Sequence, residues 1–127
     1  MATGLLVENY VDAGQQFLDA LRSSGFDVTT AFWVRTSEDD LWFLYIASPA
    51  ADKGSLAKVY SEVYRILQAL RSSWVSESDV KLIGASNPIT LDVIRLRDNW
   101  PGTSIVKRDG LQLGSMFVEE VHIYPNS

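Results

Sequence analysis

An aromatic segment in the first half of the chain constrains the fold more than any other feature. The sequence TAFWVRTSEDDLWFLYIASP, residues 30–49, carries five aromatic residues in two apolar runs that flank a polar stretch. Aromatic and β-branched runs on either side of such a stretch are typical of a β-hairpin. We therefore predict two antiparallel strands over residues 28–36 and 41–47, joined by a turn at residues 37–40.

The position of this turn sets the register of the two strands. With the turn centred between residues 38 and 39, the facing pairs are Phe32 with Tyr45, Val34 with Phe43, Trp33 with Leu44 and Arg35 with Trp42. Side chains alternate across a strand, so both faces of this hairpin are apolar. An antiparallel sheet with one face in water has a polar face instead. Either helices of the same chain cover both faces, or one face contacts another chain.

One face of the hairpin is the predicted interaction surface. Trp33, Trp42 and Leu44 lie on it, and Arg35 is placed to cover the Trp42 ring. Aromatic residues and arginine are enriched where protein chains meet. Binding of another protein, or self-association into a homo-oligomer, is therefore the leading functional hypothesis. Cover by the chain's own helices is the alternative interpretation of this face.

Helices are predicted from the spacing of apolar residues and from signals at helix ends. Apolar side chains recur every three or four positions over about residues 6–24 and again over 56–70. Gly25 follows the first pattern, where a left-handed residue commonly ends a helix. Asn87 and Pro88 form a cap and a first helical residue, so they open a third, shorter helix.

Strands fill the remaining apolar segments. Residues 80–85 predict a short strand, and Asp109-Gly110 predicts the tight turn of a second hairpin between residues 105–108 and 111–113. Residues 116–124 are strand-like again. The order is then helix, hairpin, helix, strand, helix, hairpin. This order indicates one α+β domain over residues 1–127, with three helices and a mixed or antiparallel sheet of about five strands.

Charge and composition restrict the classes of partner. The net charge is −5 with an isoelectric point near 4.7, which disfavours binding to nucleic acid. The chain has no cysteine, so disulfides and thiolate chemistry are excluded. No basic residue precedes the first apolar run, and the longest uncharged apolar run is far too short to span a membrane. We expect a cytoplasmic protein without a membrane partner.

Two groups of residues are candidates for binding a small anionic ligand, which is the alternative functional hypothesis. Lys53, Gly54 and Ser55 lie at the predicted start of the second helix, where backbone N–H groups attract negative charge. A basic cluster lies further along the chain and consists of Arg95, Arg97, Lys107 and Arg108. An ordinary capped loop and a solvated face are the competing interpretations of these two groups.

Catalytic and metal-binding signals are weak. The single histidine, His122, shares a strand face with Glu120 and Tyr124, so a carboxylate and an imidazole meet there. No Gly-x-Ser-x-Gly nucleophile motif occurs, and two ligands are fewer than a metal site ordinarily uses. We predict a non-catalytic domain without cofactor or metal, and we place an active site at these three residues if the protein is an enzyme.

Three short motifs resemble a known group of proteins. They are IASP at residues 46–49, DKG at 52–54 ahead of a helix that contains Tyr60, and FVEEVHIYP at 117–125. Together they resemble a family of small bacterial single-domain proteins for which no activity is known. The resemblance covers most of the chain and implies a bacterial origin and a complete one-domain protein, but no catalytic residue.

Overall fold

Helices and strands follow the predicted order in the computed structural model, which describes residues 8–36, 41–53, 55–72, 74–100, 102 and 104–125. The helices are α1 (Glu8–Ser23), α2 (Leu56–Leu70) and α3 (Pro88–Asp98). The strands are β1 (Thr30–Arg35), β2 (Trp42–Ser48), β3 (Val80–Gly84), β4 (Val106–Leu113) and β5 (Met116–Ile123). The predicted α+β class is confirmed.

The five strands form one mixed sheet in the order β3-β2-β1-β5-β4. β3 runs parallel to β2, and every other neighbouring pair is antiparallel. A parallel pair requires a crossover connection, which α2 provides between β2 and β3. β1 lies at the centre of the sheet and pairs with β2 on one side and β5 on the other.

The register predicted for the first hairpin is confirmed. Phe32 faces Tyr45, Trp33 faces Leu44, Val34 faces Phe43 and Arg35 faces Trp42. The turn itself, at residues 37–40, lies outside the described residues. The Arg35 guanidinium lies 5.9 Å from the centre of the Trp42 ring, in agreement with the predicted contact between the two side chains.

Helices cover both faces of the sheet, which explains why the hairpin is apolar on both sides. α1 and α2 pack on the face that carries Trp33, Trp42 and Leu44. α3 packs on the opposite face, where Phe32 and Val34 lie. The chain therefore buries both faces with its own helices. Within the described ranges, no helix combines the length and the apolar character that crossing a membrane requires.

Two of the predicted helix ends have the expected geometry. Gly25 has φ +86°, and the N–H groups of Gly25 and Phe26 donate to carbonyls of the last turn of α1 at 3.0 Å. The Asn87 side chain accepts a hydrogen bond from the Ile89 N–H at 2.9 Å, which caps α3. At α2, Ser55 occupies the capping position but its side chain makes no capping hydrogen bond.

The turn of the second hairpin lies at Gly114-Ser115, so the prediction of a turn at Asp109-Gly110 is wrong. Both of these residues lie inside β4, which pairs with β5 from Val106 to Leu113. Gly114 has φ +59°, and glycine at the first position suits a two-residue hairpin turn of type II′. The Asp-Gly pair indicates a turn because glycine readily adopts a positive φ. Gly110 does have a positive φ, +53°, but it adopts it inside a strand.

Gly110 changes which residues of β4 point toward α3. Before it, Val106 lies in the core on the α3 side of the sheet, and after it Leu113 lies in the same core. These two positions differ by an odd number of residues, so strict alternation would place them on opposite faces. The left-handed conformation of Gly110 shifts the alternation by one residue. Both halves of β4 can therefore pack against α3.

Candidate functional site

The residues predicted to form an interaction surface lie in the protein core. Trp33 and Trp42 each retain 1% of their accessible surface, and Leu44 retains none. The Trp33 indole N–H donates to the Tyr124 hydroxyl at 2.9 Å. Because α1 and α2 cover this face, these three side chains are not accessible to a partner in this fold. The structure thus supports the alternative interpretation of the hairpin, cover by the chain's own helices.

Glu120 and His122 meet as their spacing predicted. His122 Nε2 lies 2.6 Å from Glu120 Oε2, and the Arg35 guanidinium lies 3.4 Å from the other oxygen of the same carboxylate. The His122 ring also packs edge-on against Trp42, with 5.2 Å between ring centres. The imidazole is buried, and its Nδ1 has no hydrogen-bond partner among the described residues. Glu120 thus joins Arg35 and His122 in a small structural cluster at the edge of the core.

Tyr124 has a separate, structural role. Its hydroxyl donates to the Val11 carbonyl of α1 at 2.7 Å and accepts from Trp33. Burial raises the pKa of the Tyr124 phenol well above its ordinary range, while the hydrogen bond from Trp33 opposes that shift. The phenol therefore stays protonated and fixes α1 to the sheet. The sequence placed Tyr124 with His122, but the structure does not bring them into one site.

The residues predicted to bind an anion at the start of α2 do not come together around one site. Lys53 and Ser55 are exposed, and Gly54 lies outside the described residues. The nearby Asp52 carboxylate instead accepts hydrogen bonds from the Ser86 N–H at 3.2 Å and the Ser86 hydroxyl at 2.8 Å. This contact joins the start of α2 to the loop after β3. No described side chain near Ser55 forms an enclosed site with it.

The later basic cluster divides between two environments. Arg95 lies on the exposed side of α3 and pairs with Asp92 at 3.1 Å. Arg97 donates to the Thr29 carbonyl at 3.2 Å and to the Asp98 carboxylate at 3.2 Å, so its charge is partly neutralised. Of these two predicted residues, only Arg97 reaches the cavity described next.

An exposed tryptophan lies among the remaining basic residues. Trp100 follows the end of α3 and has a relative accessibility of 63%. The Arg108 guanidinium lies 4.9 Å from the centre of its ring, within cation–π distance. Lys107 is exposed, and neither Lys107 nor Arg108 forms an ion pair with a described residue. We call Arg97, Trp100, Lys107 and Arg108 the Trp100 corner.

Two open cavities flank Trp100. One has a volume of about 330 Å³ and is lined in part by Arg97 and Pro125. The other has a volume of about 280 Å³ and is lined in part by Lys107 and Arg108. The sequence prediction does not include Trp100, because the Pro101-Gly102 pair after it indicates the end of a helix rather than a binding residue. The sequence signal for Trp100 is a large aromatic residue directly before a helix-ending Pro-Gly pair.

A metal centre is not found among the described residues. In these parts of the chain, no group of three or more histidine, cysteine, aspartate or glutamate side chains is arranged to hold an ion. Glu120 and His122 remain a pair. The described residues thus offer a hydrogen-bonded Glu120–His122 pair and a basic, aromatic corner as two distinctive polar features.

Comparison with known proteins gives no relative. No family model, curated protein or solved structure matches the chain significantly. The resemblance to small bacterial single-domain proteins therefore stays a prediction. The fold and the corner define a class by themselves, an α+β domain in which a five-stranded mixed sheet lies between helices and a basic, tryptophan-bearing corner faces solvent.

Proposed function

We propose that this protein is a non-catalytic domain that binds another protein chain through the Trp100 corner. The supporting observation is the 63% accessibility of Trp100 beside the Arg108 guanidinium. A tryptophan held in water leaves a large apolar surface whose burial by a partner is favourable. Tryptophan and arginine are also the residue types that most often dominate the energy of protein interfaces.

The shape of the corner favours a protein over a small molecule. Small-molecule sites enclose most of their ligand in cavities of roughly 300–1,000 Å³. The two cavities beside Trp100, of about 330 and 280 Å³, are at the lower end of that range and open to solvent. A partner that covers Trp100 and inserts side chains on either side of its ring would use both cavities. The hypothesis of protein binding is therefore kept, and its surface moves from the buried hairpin to this corner.

Site-specific photo-crosslinking in cells that produce the protein tests this proposal. p-Benzoylphenylalanine is introduced in place of Trp100, and in a control variant in place of Lys58 on the exposed side of α2. We expect a discrete crosslinked product from the Trp100 position that is absent from the Lys58 position. The product should be lost when Arg108→Glu is added, because the arginine stacks on the same side chain.

The same experiment separates a different partner from self-association. A product of twice the monomer mass identifies a second copy, and light scattering on the purified protein should then show a dimer. A product of another mass identifies a different protein, which mass spectrometry can name. Equal crosslinking at both positions, or none at either, would contradict binding at the corner.

Binding of a small anionic ligand at the same corner is the second candidate. It is supported by the position of Arg97 beside one cavity and of Lys107 and Arg108 beside the other. A thermal-shift screen with phosphate, citrate and ATP tests it, since a ligand at 100 times its Kd stabilises the folded state by about 2.7 kcal/mol. Arg108→Gln should abolish the shift, whereas Arg65→Gln on α2 should preserve it. No shift with any of the three compounds counts against this candidate.

We include a cytoplasmic location in a bacterial cell in this proposal. The support is the sequence alone, which contains no cysteine and in which three short motifs resemble those of small bacterial single-domain proteins. Cell fractionation with an antibody against the protein tests the location. Recovery in the membrane or periplasmic fraction would overturn this part of the proposal.

A further inference from the structure

The two edges of the sheet differ in how their backbone is covered. At one edge, the Leu82 N–H of β3 donates to the Tyr60 hydroxyl of α2 at 2.9 Å, so a side chain already occupies that edge. At the other edge, β4 pairs with β5, which is its only neighbouring strand in the described parts of the chain. An edge strand presents alternate N–H and C=O groups that a further strand can bind.

β4 keeps this outer edge open over its length in the described structure. Among the described residues, the only hydrogen bond to its main chain from outside the β4–β5 ladder comes from within β4 itself. The Arg108 guanidinium donates to the Lys107 carbonyl at 2.7 Å. A flexible arginine that satisfies a neighbouring carbonyl can be displaced by an incoming N–H group. The edge next to Trp100 is thus available for strand pairing.

The faces of this edge differ in charge. Val106 pairs with Ile123 and Arg108 with Val121, and both pairs lie on the α3 side of the sheet, the side of Trp100. Lys107 pairs with His122 on the other side. On the Trp100 side, a strand added beside β4 would therefore meet the positive charge of Arg108. Opposite charges directly across a strand pair are stabilising and like charges are destabilising.

A second copy of this chain fits the edge poorly. A two-fold antiparallel pairing places some residue of β4 opposite its own copy. With Lys107, Arg108 or Asp109 at that position, two equal charges lie opposite each other, and with Gly110 at that position Arg108 lies opposite the uncharged Gln112. A different chain with acidic side chains avoids this repulsion and also pairs Arg108, which has no ion pair with a described residue.

We propose that the outer edge of β4 binds an extended acidic segment of a partner protein as a sixth strand. An aspartate or glutamate of that segment lies opposite Arg108. An apolar side chain two residues away, on the same face, packs beside Trp100. Main-chain hydrogen bonds to β4 supply affinity, and the two side-chain contacts supply selectivity. This inference rests on the proposed function, since it specifies how the Trp100 corner contacts its protein.

Display of random twelve-residue peptides against the purified protein provides the probe. We expect enriched peptides with an acidic residue two positions from an apolar one, because residues two apart in a strand share a face. Their affinity should fall about tenfold or more for Trp100→Ala and for Arg108→Glu. The matched control is Lys81→Glu, which changes the charge equally on the covered edge strand β3 and should leave affinity within about twofold. Near-UV circular dichroism verifies that each variant is folded.

A scan of N-methylated peptides tests strand pairing itself. Methylation removes one backbone N–H at a time, so binding should be lost at every second position of the bound segment. Peptides that require Trp100 and Arg108 but tolerate methylation at every position would overturn strand addition while the proposed function stands. Peptides whose affinity is unchanged by Trp100→Ala and by Arg108→Glu, or a library that yields no binder, would overturn both proposals.

Discussion

Gly14 is the position at which a single methyl group should most clearly disturb the fold. A Cβ atom at Gly14 would lie 2.1 Å from the Tyr124 hydroxyl and 3.2 Å from Trp33 Nε1. Tyr124 bonds both Trp33 and the Val11 carbonyl there. In an unhindered helix, alanine is about 1 kcal/mol more favourable than glycine. In this helix the added methyl group displaces the hydroxyl that holds α1 against the sheet.

The expected magnitude follows from three contributions. The gain of about 1 kcal/mol in helix propensity is opposed by overpacking of about 1–3 kcal/mol and by two weakened hydrogen bonds of about 1 kcal/mol each. We expect Gly14→Ala to lower the free energy of unfolding by about 2–4 kcal/mol. Urea denaturation followed by tryptophan fluorescence measures it, because Trp33 and Trp42 are buried in the native state.

A double-mutant cycle tests the cause. Tyr124→Phe alone should cost about 1–3 kcal/mol, since it leaves the Trp33 N–H and the Val11 carbonyl unpaired. In that background the nearest atoms to the new Cβ lie at 3.2 Å, so Gly14→Ala should cost less than about 1 kcal/mol. Gln16→Ala, on the exposed side of α1, is the matched control. A Gly14→Ala protein as stable as the wild type, or a cost unchanged in the Tyr124→Phe background, would refute the reasoning.

Three further predictions concern titration, the hairpin turn and exposure. Because the folded-state pKa of Tyr124 is raised above 10.0, its contribution to stability is present below pH 10 and falls as the pH rises further. Urea unfolding at pH 9 and pH 11 should show a smaller alkaline loss in Tyr124→Phe. Gly114→Ala should destabilise the folded state by about 1–3 kcal/mol, because φ is +59° and the new Cβ would lie 3.0 Å from Ile89. A calorimetric Tm unchanged from that of the wild type would contradict this prediction. Acrylamide should quench Trp74 and Trp100 only, so replacing both by Phe should leave an emission that resists quenching.

The first hairpin was predictable because local and tertiary signals agree. The polar stretch between the two apolar runs sets the register, which pairs Phe32 with Tyr45 and Trp33 with Leu44. The sequence did not decide what covers each face, because that depends on where α1 and α3 pack. The structure resolves that choice by burying both faces.

Glycine explains the error in the second hairpin. Asp109-Gly110 and Gly114-Ser115 both offer a residue that adopts positive φ, and sequence does not state how each is used. Pairing with β5 decides it, because β4 continues through Gly110 and pairs with β5 from Val106 to Leu113. The positive φ of Gly110 instead shifts the alternation of β4.

The candidate site was predictable only in part. The basic residues Arg97, Lys107 and Arg108 were recognised as a cluster in the sequence, but their common neighbour Trp100 was not. Their convergence depends on how the chain returns from the end of α3 to the start of β4, which no short-range pattern encodes. The burial of Trp33 and Trp42 was likewise a consequence of helix packing rather than of the hairpin itself.

The central position of β1 has a consequence for synthesis of the protein. β1 pairs with β5, so the middle of the sheet stays incomplete until residues 116–123 have left the ribosome. During translation, the edge of β1 that later pairs with β5 has no partner strand. This strand, which includes Phe32 and Val34, can then pair with the backbone of other chains. Rapid synthesis of β5 or chaperone contact at that stage should determine the yield of native molecules. Slowed elongation just before β5 should therefore increase aggregation more than slowed initiation does.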